Sequence, residues 1–152
     1  MVTVRVPATT ANLGPGFDTL GLALALYNTL TFEELPEGLF FEGVEPEYAT
    51  EENLAVVSYK AVLTKLGLPM PGLRVTMETG IPICRGLGSS AALIAAGAAG
   101  ANANHGSPLS REELLAVCND IEGHPDNLAP AIFRSLVASF VENGRPYIAR
   151  SA

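Results

Sequence analysis

Three features of the 152-residue chain predict an α+β fold. Two segments alternate with period two, as half-buried strands do. In one, Val2, Val4 and Val6 stand against Thr3 and Arg5; in the other, Leu73, Val75 and Met77 stand against Arg74, Thr76 and Glu78. Other segments carry helix-start signals or helical spacing. The two kinds of segment are mixed without a regular βαβ alternation, which favours α+β over a doubly wound sheet. A composition of 48% hydrophobic and 16% charged residues is that of a globular chain.

Taken in order, Val2 to Val6 is a strand, and Pro7 is expected to end its ladder because it has no N–H. The next segment, ATTANLGPGFD, is dense in Gly, Pro, Asn and Thr and reads as a loop. Asn12 and Asp18 lie in it, and Asx-turns account for both. Thr19 to Leu35 is long and apolar and reads as one or two strands; Pro36 to Gly43 reads as a hairpin or an edge segment. Thr50 to Asn53 is cap-like and precedes Leu54, Val57, Ala61 and Leu66 at helical spacing, with Gly67 and Pro69 as the stop. After the strand Leu73–Thr79 comes an Ala-rich helix from about Ser89 to Asn104, ended by His105-Gly106. His105 reads as a helix-end residue without chemistry. Ser110-Arg111-Glu112-Glu113 is a capping box, and Leu114, Leu115, Cys118 and Ile121 form the apolar face of the helix behind it. A short helix is expected after Pro125, a strand over Leu136 to Val141, a turn at Asn143-Gly144, and a returning strand from Tyr147.

A net charge of −7 argues against a nucleic-acid surface. The uncharged run from Gly86 to Asn104 approaches the length of a membrane span, but it consists of Ala, Gly, Ser and Asn and reads as a buried helix. Cys84 and Cys118, the two cysteines, have no metal spacing and read as small buried hydrophobes in a reducing compartment. The N-terminus, MVTVRVPATT, lacks the regions of a signal peptide, so a cytoplasmic location is expected.

The stretch Gly80 to Ala92, GIPICRGLGSSAA, joins the Leu73–Thr79 strand to the Ala-rich helix. Gly86 and Gly88 allow close approach of an anion, and Ser89 and Ser90 fall at the helix cap and first turn. Free amides and the helix dipole make such a start a phosphate cradle. No Lys follows the glycines, so it is not a Walker A loop. A capped helix behind a flexible turn is the plainer alternative.

Three motifs then stand in order: VPATTANLGPGFDTLGLAL from Val6 to Leu24, IPICRGLGSSAA from Ile81 to Ala92, and EGHPDNLAPAI from Glu122 to Ile132. Together they resemble the GHMP kinase superfamily and, within it, the homoserine kinases. The first motif separates these from mevalonate and galactose relatives. The resemblance implies the GHMP N-terminal domain fold, similar to ribosomal protein S5 domain 2, with a mixed sheet packed by helices. It covers residues 1–152 as an ATP-binding domain, while family kinases look about twice as long and add a C-terminal domain. The chain therefore looks like an N-terminal half, and self-association through bared apolar surface is expected. A departure occurs at Phe133-Arg134-Ser135-Leu136, where the family usually has a Gly-Gly pair.

The implied reaction is transfer of the ATP γ-phosphoryl group to L-homoserine, giving O-phospho-L-homoserine for threonine biosynthesis. The alternatives are a catalytically incomplete nucleotide-binding fragment and a kinase for another small alcohol. By motif match, ATP falls to Pro82, Ile83, Cys84, Arg85, Gly86, Leu87, Gly88, Ser89, Ser90, Ala91 and Ala92. Ser90 and Glu122 fall to Mg²⁺, with a solvated helix-end carboxylate as the plain reading of Glu122. Asn12 and Asp18 fall to the amino-acid group of homoserine. His124, Asp126 and Asn127 fall to its hydroxyl as catalytic residues, with His124 and Asn127 also binding substrate. No nucleic acid or membrane partner is implied, and the full-length enzyme is expected to be a homodimer.

Overall fold

Among the described residues, six strands and four α-helices follow one another in the computed structural model. They are β1 (Val2–Thr10), β2 (Leu20–Leu35), β3 (Leu39–Glu42), α1 (Leu54–Lys65), β4 (Gly72–Thr79), α2 (Ser89–Asn104), α3 (Arg111–Glu122), α4 (Leu128–Phe133), β5 (Val137–Glu142) and β6 (Arg145–Arg150). The structure describes residues 1–10, 20–81, 89–122, 128–133, 137–142 and 145–150. The mix of helices and strands is the α+β class expected.

The sheet is built on β2, a single strand rather than two. One flank pairs antiparallel with β1, from Val2↔Phe32 onward, and the other pairs antiparallel with β4, from Asn28↔Thr79 to Leu35↔Gly72. Its first residues pair with β5, giving the order β3-β4-β2-β5-β6 with β1 beside β2. β3 runs parallel to β4, so the sheet is mixed. A parallel pair needs a crossover, and α1 supplies it between the two strands.

One expectation about strands is corrected. Pro7 does not end β1, which continues to Thr10. Pro7 sits opposite Tyr27, and the register shifts between Pro7 and Thr9. An irregularity of this kind accommodates a residue that has no N–H to give the ladder. Of the two readings of 36–43, the edge segment holds: β4 occupies that flank of β2, and β3 lies at the edge beyond β4.

One face of the sheet is apolar. Val4, Val6, Leu30, Phe32, Leu73 and Val75 are buried in one cluster with residues of all four helices. The intervening Thr3 and Thr31 meet across strands through their hydroxyls at 3.0 Å. In α1 the core face is Ala55, Val56, Tyr59, Val62 and Leu63, whereas Leu54, Val57, Ala61 and Leu66 are only partly buried. The spacing read from the sequence therefore marked the flank of α1, because this helix is apolar over more than one stripe. Asn53 caps it by accepting from the Ala55 N–H at 2.9 Å, and Gly67, at φ +72°, ends it in the left-handed region.

Helix α2 has the bounds expected of it and lies in the middle of the helical layer. Ala91, Ala92, Ala95, Ala96, Ala98 and Ala101 are buried along it. Its glycines are places of close approach. A methyl at Gly97 would land on the Ala55 carbonyl oxygen and the Ser58 hydroxyl of α1, and one at Gly100 would meet the Phe32 ring at 2.5 Å. Among the described residues, no helix is long and apolar enough to cross a membrane. α3 begins at the expected capping box: the Ser110 N–H donates to Glu113 Oε1 at 3.0 Å and the Glu113 N–H to Ser110 Oγ at 3.1 Å.

Candidate nucleotide and metal site

β4 ends at Thr79, and α2 begins at Ser89. The first amides of α2 have no acceptor within the helix, and no acidic side chain stands in its first turn to offset the positive end of its dipole. Ala91 and Ala92 are fully buried, so anything they offer a ligand is main-chain. Ser90 is exposed at this end, and its hydroxyl donates to Glu122 Oε1 at 3.0 Å. Glu122 is the last residue of α3, and its other carboxylate oxygen is buried. The two residues assigned to the metal by motif match are thus side by side, although 32 positions apart in sequence.

The donor set suits a small hard cation. Both atoms are oxygens, and adjacent ligands of an octahedron with bonds near 2.1 Å lie roughly 3.0 Å apart. The described residues contain no cluster of three or more His, Cys, Asp or Glu side chains. One carboxylate with one hydroxyl is the sparse set expected for Mg²⁺, which keeps waters and takes substrate phosphates as ligands.

Cys118 lies one turn before Glu122 and is buried, as expected. Its Sγ is 3.8 Å from the Ile94 carbonyl oxygen, and burial, assisted by the Glu122 charge, pushes the thiol up to about 12. It stays neutral near pH 7 and is no nucleophile. Cys84 lies outside the described residues. So do Asn12, Asp18, Pro82, Ile83, Arg85, Gly86, Leu87, Gly88, His124, Asp126 and Asn127, and of Ser89 only its place at the head of α2 is described.

One polar residue near the site was not singled out from the sequence. Asn28 of β2 is buried, and its Oδ1 accepts from the N–H of Gly80 at 3.0 Å and of Ile81 at 3.2 Å. An Asn in register with Leu30 and Phe32, on the face of the alternation where an apolar residue belongs, was the available signal. An open groove of about 510 Å³ runs between α1 and α3, with Lys60 and Asp120 among its residues, and its lining includes neither Ser90 nor Glu122.

Residues 53–135 match the family described as GHMP kinases N terminal domain. The chain belongs to that family. A homoserine kinase from Clostridium botulinum (strain Loch Maree / Type A3) is 48% identical over 143 residues, covering 94% of this chain and 48% of its own length. One from Clostridium beijerinckii is 45% identical over 148 residues, covering 97% of this chain and 50% of its own. A solved Listeria monocytogenes structure assigned as homoserine kinase thrB superposes with a TM-score of 0.84 at 38% identity, over 98% of this chain and 53% of that one. The chain thus spans about half the length of the relatives it matches. The GHMP kinase membership agrees with the fold expected from the three motifs.

Proposed function

We propose that this chain forms the nucleotide-binding half of an ATP-dependent homoserine kinase, acting in the cytoplasm on the threonine pathway. The observation that carries the reading is the Ser90–Glu122 pair at the head of α2, 3.0 Å apart. Identities of 45–48% with homoserine kinases support the choice of alcohol. Phosphoryl transfer asks little covalent chemistry of a protein and much alignment and charge neutralisation. The amides from Arg85 to Ser90 hold the β- and γ-phosphates, and Ser90 and Glu122 hold Mg²⁺. When bound, the ion neutralises charge on the β- and γ-phosphate oxygens. Asn12 and the carboxylate of Asp18 take the amino-acid group of L-homoserine. His124, Asp126 and Asn127 orient its hydroxyl towards the γ-phosphorus.

The test is ADP release by the protein that carries this chain, with L-homoserine, mevalonate or no acceptor. Release that depends on homoserine and not on mevalonate is expected. Equal release with all three would overturn the reading, and release with mevalonate alone would move the protein to another alcohol.

A further inference from the structure

We infer that Asn28 is a positioning residue that sets the entry of the nucleotide segment, an assignment that rests on the reading of 82–92 as the phosphate cradle. Thr79 is the last residue of β4 and pairs with Asn28 itself. Beyond it the chain leaves the β2–β4 ladder, and the next N–H groups need acceptors from elsewhere. Asn28 answers with a single oxygen. The Gly80 and Ile81 amides both converge on Oδ1, at 3.0 and 3.2 Å, which fixes the direction in which the chain departs from the strand.

Two further contacts hold the same point. A side chain at Gly80 would strike the Tyr27 carbonyl oxygen, so the main chain passes directly against β2 there. Ile81 is buried in the core immediately after. Asn28 thus fixes Gly80 and Ile81 at the exit from β4, and Ser90 on Glu122 ties the head of α2 to α3.

The residue type argues for a role beyond packing. Asn is disfavoured within strands, and a buried carboxamide is costly unless it is hydrogen-bonded. Asn28 is 3% exposed and stands opposite Val6 on β1, where Val or Leu would serve the sheet better. What an apolar residue cannot do is receive two main-chain amides. The two amides that Asn28 receives lead into the segment assigned to the nucleotide, so its influence is expected on ATP.

The experiment compares Asn28→Ala, which removes the acceptor, with Asn28→Asp, which keeps one. ATP affinity is measured by calorimetry with Mg²⁺, and KM is measured separately for ATP and homoserine in the protein that carries this chain. Losing the one oxygen that accepts from two amides is expected to raise the Kd and KM for ATP in Asn28→Ala about tenfold or more, with the homoserine KM within about twofold. Asn28→Asp is expected to recover most of the ATP affinity. Wild-type ATP affinity in Asn28→Ala, or equal loss in both variants, would overturn the assignment. A wild-type protein that binds ATP but ignores homoserine overturns the kinase reading alone, since the affinity comparison still decides on Asn28. A wild type that binds no ATP overturns both. If Asn28→Ala does not fold, hydrogen exchange in the wild type decides: the Gly80 and Ile81 amides should be protected and become more so with ATP. Rapid exchange in both states would overturn the assignment.

Discussion

At Glu122 a carboxylate meets the Ser90 hydroxyl at the positive end of a helix dipole. Glu122→Gln keeps an acceptor for that hydroxyl and removes the charge that would bind a metal. On the proposed kinase reading, the fold should survive while kcat of the full-length enzyme drops by ~10²–10³, the usual cost of losing one aligned electrostatic contact. Steady-state rates with a thermal melt check it; near-normal turnover would take Glu122 out of the metal site. At the exposed Glu113, the backbone N–H and then the hydroxyl of Ser110 hold the carboxyl below its ordinary range. A depressed folded-state pKa means stabilisation present above the unfolded-state pKa and lost as pH falls through the folded one. Protection factors of the amides in the first turn of α3, taken relative to intrinsic exchange at each pH, should therefore fall on acidification below the usual carboxylate range, and Glu113→Gln should flatten that response. This cap was legible from the sequence because all its parts lie within four residues. The bonds of Asn28 were not, since they join positions 52 and 53 apart.

Among the elements, α2 was legible in its bounds and its burial, because a long run of Ala and Gly without Pro has few other structures open to it. Its neighbours were not legible. The sequence does not say that Gly97 faces Ala55 and Ser58, or that Gly100 faces Phe32. Gly97→Ala sets two effects against each other. Helix propensity gains about 1 kcal/mol, while overpacking against a fixed carbonyl costs about 1–3 kcal/mol. The obstacle is main-chain oxygen and cannot swing away, so a net loss of stability is expected in urea unfolding. An unchanged or raised midpoint would show that α1 and α2 part freely. In the strands, misreading Pro7 as a terminator came from treating the missing N–H as decisive, whereas a register shift absorbs it.

Across the whole molecule, β2, α1 and the end of α2 are joined by one polar knot. Glu34 Oε1 accepts the Tyr59 hydroxyl at 2.6 Å and lies 2.7 Å from His105 Nε2, and Asn104 donates to the Tyr59 oxygen at 3.0 Å. Burial, then the Glu34 hydrogen bond, raises the Tyr59 pKa, so the phenol stays protonated and donating. Tyr59→Phe keeps the ring beside Phe32 and removes the bonds. It should cost about 1.5–3 kcal/mol, the worth of a hydrogen bond to a charged group, measured by chemical denaturation. A loss below a few tenths would show that His105 alone satisfies Glu34. His105 was read as a helix end without chemistry; its partner is 71 residues away in sequence, beyond the reach of local pattern.

Gly97 and Gly100 stand seven and ten residues beyond Ser90, about 10 and 15 Å along the axis. A rod clothed in alanine has shallow ridges and resists sliding lengthwise only weakly. The seating of Ser58 and Phe32 against those two bare positions indexes the rod, and so decides how far its leading end protrudes towards Glu122. On the proposed kinase reading, nucleotide affinity is thereby tied to packing well behind the head of the helix, in residues outside the assigned site.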